Sequence, residues 1–167
     1  NSEIFRIGDY GSSEIQQQWS ASALACNAPI SISQKFAPGV YVLKVLDPQG
    51  FDAYSVFLVR SSVHTKGVAS IPFMTLFAYN KVDGANAYKS PKGFAGRAKE
   101  ISFASPIDYA SGLDKFQEYV FPVVREIEKS HLNISYVADF DINDNPSILD
   151  NHTAYISMGH DEYWTDA

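Results

Sequence analysis

The sequence predicts a β-sandwich portion followed by a partial parallel α/β domain. Residues 1–60 contain strand-like runs separated by turn formers, without helical periodicity, which is typical of sandwiches. Residues 68–167 instead alternate strand-like and helical segments, the order that produces a parallel sheet. The polar stretch 61–67 separates the two patterns and is predicted to be a linker. With 167 residues, 46% of them hydrophobic, the chain is long enough for a substantial core.

In the first part, residues 3–7 form a short strand-like run that ends in a loop rich in glycine and serine. Residues 40–46 are rich in β-branched and aromatic side chains, and residues 53–60 form a similar run. Asp-Pro-Gln-Gly at 47–50 supplies turn formers between them. This order predicts a β-hairpin.

The second part begins with residues 68–78, a nearly continuous apolar run of the kind buried on both faces of a parallel sheet. Pro72 argues against an uninterrupted strand, because proline cannot donate to the ladder. Residues 81–97 carry three glycines and a proline, with Tyr88 in the middle, and are predicted to be a long loop. Long loops in compact domains are often functional.

The remaining segments complete the predicted sheet. Apolar residues at helical spacing run from Leu113 to Ile127 and are interrupted by Pro122, so a helix either kinks there or begins there. We favour a main helix over residues 122–130, with proline in its first turn. Residues 134–138 are predicted to be a strand, 139–146 an acidic loop and 147–151 a helical turn. Residues 154–158 are predicted to be a buried strand at the centre of the sheet.

Ionisable and aromatic side chains crowd behind that last strand. Gly159 marks a sharp turn, and His160, Asp161 and Glu162 follow it. In open α/β sheets the carboxyl edge of the strands is where ligands bind, so a site is expected here. A simpler interpretation stays open, in which Asp161 and Glu162 form the acidic first turn of a helix.

Charge and composition exclude several classes of function. The net charge of -6 and the pI near 5.1 argue against nucleic acid or an anionic membrane as a partner. Apolar stretches are broken well before the about 20 residues that a membrane helix needs, so a soluble chain is expected. Cys26 is the only cysteine and cannot form an internal disulfide, which leaves the compartment open.

The run Gly-His-Asp-Glu-Tyr-Trp at 159–164 resembles the signature of the N,N-dimethylformamidase large (beta) subunit family. Further similarity lies in the runs at 5–11, 38–41, 78–80 and 134–139. The resemblance implies an immunoglobulin-like sandwich followed by a glutamine-amidotransferase-like α/β domain.

The resemblance implies a mononuclear iron hydrolase in which two tyrosines and one glutamate hold the metal. By resemblance, Glu162 corresponds to the glutamate and Tyr79, in Ala-Tyr-Asn at 78–80, to one tyrosine. Where relatives carry arg-pro-tyr, this chain has Ser-Pro-Ile at 105–107, so the second tyrosine is open. Tyr88 and Tyr109 are the candidates, and packing is the alternative role for both.

The resemblance implies a ferric ion as cofactor and a small amide as substrate. Phenolate and carboxylate oxygens are hard donors that suit such an ion. His160 is a candidate general acid or base, because histidine exchanges protons near neutral pH, and Asp161 is a candidate to orient it. The hypothesis is thus a metal-dependent amide hydrolase, and the alternative is a non-catalytic module that binds glycans or proteins.

The chain ends at Ala167, five residues after Glu162, where further strands and a covering helix are expected. We therefore predict that it is a piece of a longer chain, with oligomer formation possible in the whole protein.

Overall fold

A computed structural model gives the arrangement of the elements. It describes residues 1–10, 13–22, 29–32, 36–81, 84–105, 107–108 and 113–164. The chain is a mixed α/β protein with one antiparallel sheet and one parallel sheet.

The antiparallel sheet has four strands in the order β2-β1-β3-β4. The strands are β1 (Ser2–Tyr10), β2 (Ser13–Ala21), β3 (Gly39–Leu46) and β4 (Asp52–Val59). The hairpin prediction is confirmed, since β3 and β4 pair antiparallel in continuous register. The Asp47 carboxylate holds the turn by accepting the backbone N–H groups of Gln49 and Phe51 at 2.8 Å each.

Strand β2 was not predicted from the sequence. Its central residues are the polar run Glu-Ile-Gln-Gln-Gln, and most of its positions are exposed. Such an edge strand lacks the apolar alternation that identifies a half-buried one, so pairing with β1 alone defines it.

The parallel sheet has three strands in the order β6-β5-β7. The strands are β5 (Gly67–Ile71), β6 (Ile134–Ala138) and β7 (Ala154–Ser157). Both β6 and β7 pair parallel with β5, as predicted. The prediction that the last strand is central and buried is wrong: β5 is central, and Tyr155 on β7 is 40% exposed.

Two predictions about the segments around this sheet also need correction. Residues 68–78 are not one strand, because the chain leaves β5 at Pro72 and forms helix α1 (Phe73–Tyr79). The acidic stretch at 139–146 is not a loop: α3 (Asp139–Asp144) begins directly after β6. Acidic residues in a first helical turn are favoured by the helix dipole, a signal that the loop interpretation overlooked.

The predicted main helix is confirmed as α2 (Phe121–Lys129), with proline in its first turn. It is preceded by a π-helical segment, Phe116–Val120. Two short 3₁₀ helices, Phe94–Gly96 and Pro146–Leu149, lie in the connecting segments.

Both sheets pack on one core with α1 and α2. Ile7 and Val40 of the antiparallel sheet belong to the same buried cluster as Ile71 of β5, Leu76 of α1 and Val124 of α2. A smaller cluster covers the other side of the parallel sheet under α3. The core therefore fixes α1 against the carboxyl edge of the parallel sheet, where the candidate site lies.

Candidate functional site

The site lies where the chain leaves β5 and β7 at their carboxyl ends. Strand β5 leads through Pro72 into α1, whose last residue is Tyr79. Strand β7 leads through Met158, 1% exposed, to Gly159 and Glu162. Because β5 and β7 are parallel neighbours, both exits open on the same edge of the sheet.

The turn at Gly159 needs glycine for two reasons. Its φ is +62°, in the left-handed region that residues with a Cβ rarely adopt. A Cβ at this position would also lie 2.5 Å from the Cβ of Tyr119, in the π-helical segment. The backbone at Gly159 thus lies close to that at Tyr119, and His160 and Glu162 lie over α1.

Three oxygen-bearing side chains meet beyond this turn. The Tyr79 hydroxyl donates to Oε1 of Glu162 at 3.5 Å, and the Tyr88 hydroxyl donates to Oε2 of the same carboxylate. We call these two phenols and the Glu162 carboxylate the oxygen cluster. It is partly open to solvent, since the Glu162 side chain is 31% exposed.

Aromatic rings and a histidine surround the oxygen cluster. The rings of Tyr79 and Tyr88 stack with centroids 4.4 Å apart, and the Tyr163 hydroxyl donates to that of Tyr88 at 2.9 Å. His160 Nε2 lies 2.8 Å from Glu162 Oε1, and its ring lies 6.0 Å from that of Tyr79. A group able to exchange a proton therefore touches the carboxylate of the cluster.

Burial and neighbouring charge keep the phenols of the cluster protonated. Burial raises the pKa of Tyr88, and its hydrogen bonds to Glu162 and Tyr163 add to this. Burial and the Glu162 carboxylate likewise raise the pKa of Tyr79, whereas a hydrogen bond with Tyr88 and the Lys115 ammonium oppose them. That ammonium lies 5.9 Å from the centre of the Tyr79 ring.

Asp161 belongs to a different group of side chains. Its Oδ2 accepts from the Ser157 hydroxyl at 2.7 Å, and its Oδ1 is buried without a hydrogen-bond partner. Burial raises its pKa. Its side chain hydrogen-bonds to Ser157 rather than to His160, so the structure does not join Asp161 to the oxygen cluster.

The structure thus brings together Tyr79, Tyr88, His160 and Glu162 from the predicted set. Tyr79 reaches the sheet edge from the last turn of a helix, not from the end of a strand as the sequence suggested. Residues 160–164 are not helical, so Glu162 is not in a first helical turn in this part of the chain. Tyr109 lies outside the described residues.

Further residues of the site were not found from the sequence. They are Thr75, Asn86, Lys115, Tyr119 and Tyr163. Thr75 and Tyr79 are one helical turn apart, a signal that was hidden while residues 68–78 were interpreted as a strand. Within the described ranges, His, Cys, Asp and Glu side chains do not form a metal-binding group of three or more. A metal held here would therefore need the tyrosines.

Fold and site together describe a mixed α/β protein with a tyrosine and glutamate cluster at the edge of a parallel sheet. The family model described as "N,N-dimethylformamidase beta subunit-like, C-terminal" matches residues 9–167. The chain belongs to this family. Searches of curated proteins and of solved structures found no match. In the described part of the chain, every helix is too short or too polar to cross a membrane.

Proposed function

We propose that this chain carries the iron site of an amide hydrolase that acts on the C–N bond of a small amide. The convergence of two phenols and a carboxylate on one point carries this proposal. Family membership supports it, because the family is described as N,N-dimethylformamidase beta subunit-like. We also infer that the chain works as part of a larger assembly. The immunoglobulin-like and amidotransferase-like assignments rest on the resemblance and stay proposals.

The residues present fit a ferric ion. Tyr79, Tyr88 and Glu162 offer oxygen donors, which hard cations prefer, and Tyr88 would be the second tyrosine. Phenols bind such an ion as phenolates, so a ferric ion at this point would have to displace the protons that burial and the Glu162 carboxylate hold on Tyr79 and Tyr88. Such an ion would act as a Lewis acid toward an amide carbonyl and acidify water.

His160 is placed to move the proton that amide hydrolysis requires. A neutral His160 that donates from Nε2 to Glu162 carries its lone pair on Nδ1, which can accept a proton and later release it. Its side chain is 48% exposed, so a substrate in the open side of the site can reach it. Asp161 has an indirect role in this proposal: its hydrogen bond with Ser157 shapes the turn after β7.

The decisive experiment measures iron in the purified protein and in the variant Glu162→Gln. We expect iron in the parent and its loss in the variant, with little change in folding stability, because glutamine keeps the size of the side chain and removes only the charge. Glu126→Gln on the exposed face of α2 is the matched control and should retain iron.

The tyrosine assignment is tested in the same way. Tyr88→Phe should lose iron and the visible tyrosinate-to-iron absorption, whereas Tyr109→Phe should keep both. The reverse result would make Tyr109 the second tyrosine. A parent protein that takes up no iron would reject the hydrolase proposal and favour a binding module.

A further inference from the structure

Two buried polar side chains connect the parts of the chain that bear the oxygen cluster. Tyr79 ends α1, Tyr88 lies in the following loop, and Glu162 lies beyond the end of β7. Glu162 is outside the ladder of the parallel sheet, so other contacts must fix its distance from the phenols. Thr75 and Asn86 supply those contacts.

Thr75 fixes the backbone of Glu162 to α1. Its residue is 2% exposed, and its Oγ1 accepts the backbone N–H of Glu162 at 3.0 Å. Thr75 and Tyr79 are four residues apart and share one face of the helix. One helical face therefore holds the Glu162 backbone and, one turn later, presents the phenol that meets its carboxylate.

Asn86 fixes the Tyr88 loop to the end of α1. Its residue is 4% exposed, and its Nδ2 donates to the carbonyl of Tyr79 at 2.7 Å. Its Oδ1 accepts the N–H groups of Tyr88 at 2.9 Å and of Lys89 at 2.7 Å. These partners determine the orientation of the amide, since the reversed group would set oxygen against oxygen and N–H against N–H.

We propose that Thr75 and Asn86 are positioning residues that hold the Tyr79 and Tyr88 phenols and the Glu162 carboxylate at the spacing a cation requires. Neither side chain belongs to the cluster itself. Each acts through a backbone group of a residue that does, as the outer partners of metal ligands commonly do. The need for a cation rests on the proposed function, but the hydrogen bonds can be tested without it.

The first test measures amide hydrogen exchange at single-residue resolution in the metal-free protein. In Thr75→Val, which keeps the shape and removes the acceptor, the Glu162 amide should exchange about 5- to 10-fold faster, as expected for one lost hydrogen bond. Thr75→Ser retains the hydroxyl and should restore slow exchange. Thr65→Val is the control for the same substitution elsewhere, because the Thr65 hydroxyl donates to the backbone carbonyl of Gly67 at the opposite edge of the sheet.

The second test measures iron affinity and the tyrosinate-to-iron absorption. Thr75→Val and Asn86→Asp should each weaken iron binding about 10- to 100-fold and shift the absorption band, while Thr75→Ser and Thr65→Val should not. Asn80→Asp controls for the added charge, since Asn80 is equally buried at 4% and also accepts a backbone N–H.

The outcomes separate this inference from the proposed function. Unchanged Glu162 exchange in Thr75→Val overturns the inference, whatever the iron content. Equal losses of iron in Asn86→Asp and Asn80→Asp overturn the role of Asn86. A parent without iron rejects the hydrolase proposal, and the exchange data then decide on the positioning role alone.

Discussion

Replacing Gly159 by alanine should disturb both stability and the site, because this glycine lies where the turn after β7 meets the π-helical segment. Its φ of +62° is costly for alanine, at about 1–2 kcal/mol. The added Cβ would lie 2.5 Å from the Cβ of Tyr119 and 3.3 Å from its carbonyl carbon and oxygen. Optimal carbon contacts are about 3.5–4.0 Å, so one backbone must move by about 1 Å.

The size of the effect follows from these two terms. Overpacking of this kind costs about 1–3 kcal/mol, which with the backbone term gives about 2–5 kcal/mol for Gly159→Ala. Gly50→Ala is the control, because Gly50 has φ +91° and no atom within 4 Å of an added Cβ. Gly50→Ala should therefore be destabilised only by the cost of the backbone conformation.

Urea unfolding followed by circular dichroism measures both variants. We expect Gly159→Ala to unfold with a free energy about 1–3 kcal/mol lower than that of Gly50→Ala, the difference being the contact with Tyr119. Equal losses in the two variants would refute this account of the turn. Binding of iron should also weaken in Gly159→Ala, since the displaced segment carries Glu162.

Two further predictions concern buried charge. Burial raises the pKa of Asp139 from 3.8 to about 6. The protonated Asp139 carboxyl therefore stabilises the fold fully below pH 4, and about 3 kcal/mol of unfolding free energy is lost as pH rises through 6. Asp139→Asn should lack this loss, so parallel curves of stability against pH for the two proteins from pH 4 to 7 would contradict the prediction. Glu128 pairs with Arg6 at 2.9 Å and accepts from the Tyr136 hydroxyl at 3.0 Å. Glu128→Gln should lower the free energy of unfolding by about 3 kcal/mol, measured by thermal or urea unfolding. Glu14→Gln, at the exposed ion pair with Arg125, is the control and should cost under about 1 kcal/mol. Similar costs in the two variants would show that solvent screens the pair between β1 and α2.

Local signals in the sequence predicted much of the fold. The hairpin of β3 and β4 has β-branched residues on either side of a turn that Asp47 stabilises, and α2 has apolar residues at helical spacing after a proline. Predictions failed where one pattern fits two structures. Residues 68–78 are apolar enough for a buried strand or a buried helix. The chain forms one after the other, because β5 ends before Pro72 and α1 begins after it.

The sequence by itself determined which residue types could form a site and where the turn at Gly159 would place His160 and Glu162. Those features depend on neighbouring residues and on the backbone freedom of glycine, which act over a few positions of the chain. Only the tertiary structure decided that Tyr88 meets Glu162, that Tyr79 arrives from a helix and that Asp161 turns to Ser157. Those contacts join residues far apart in sequence, such as Thr75 and Glu162, and depend on the packing of α1 against the sheet, which no local pattern encodes.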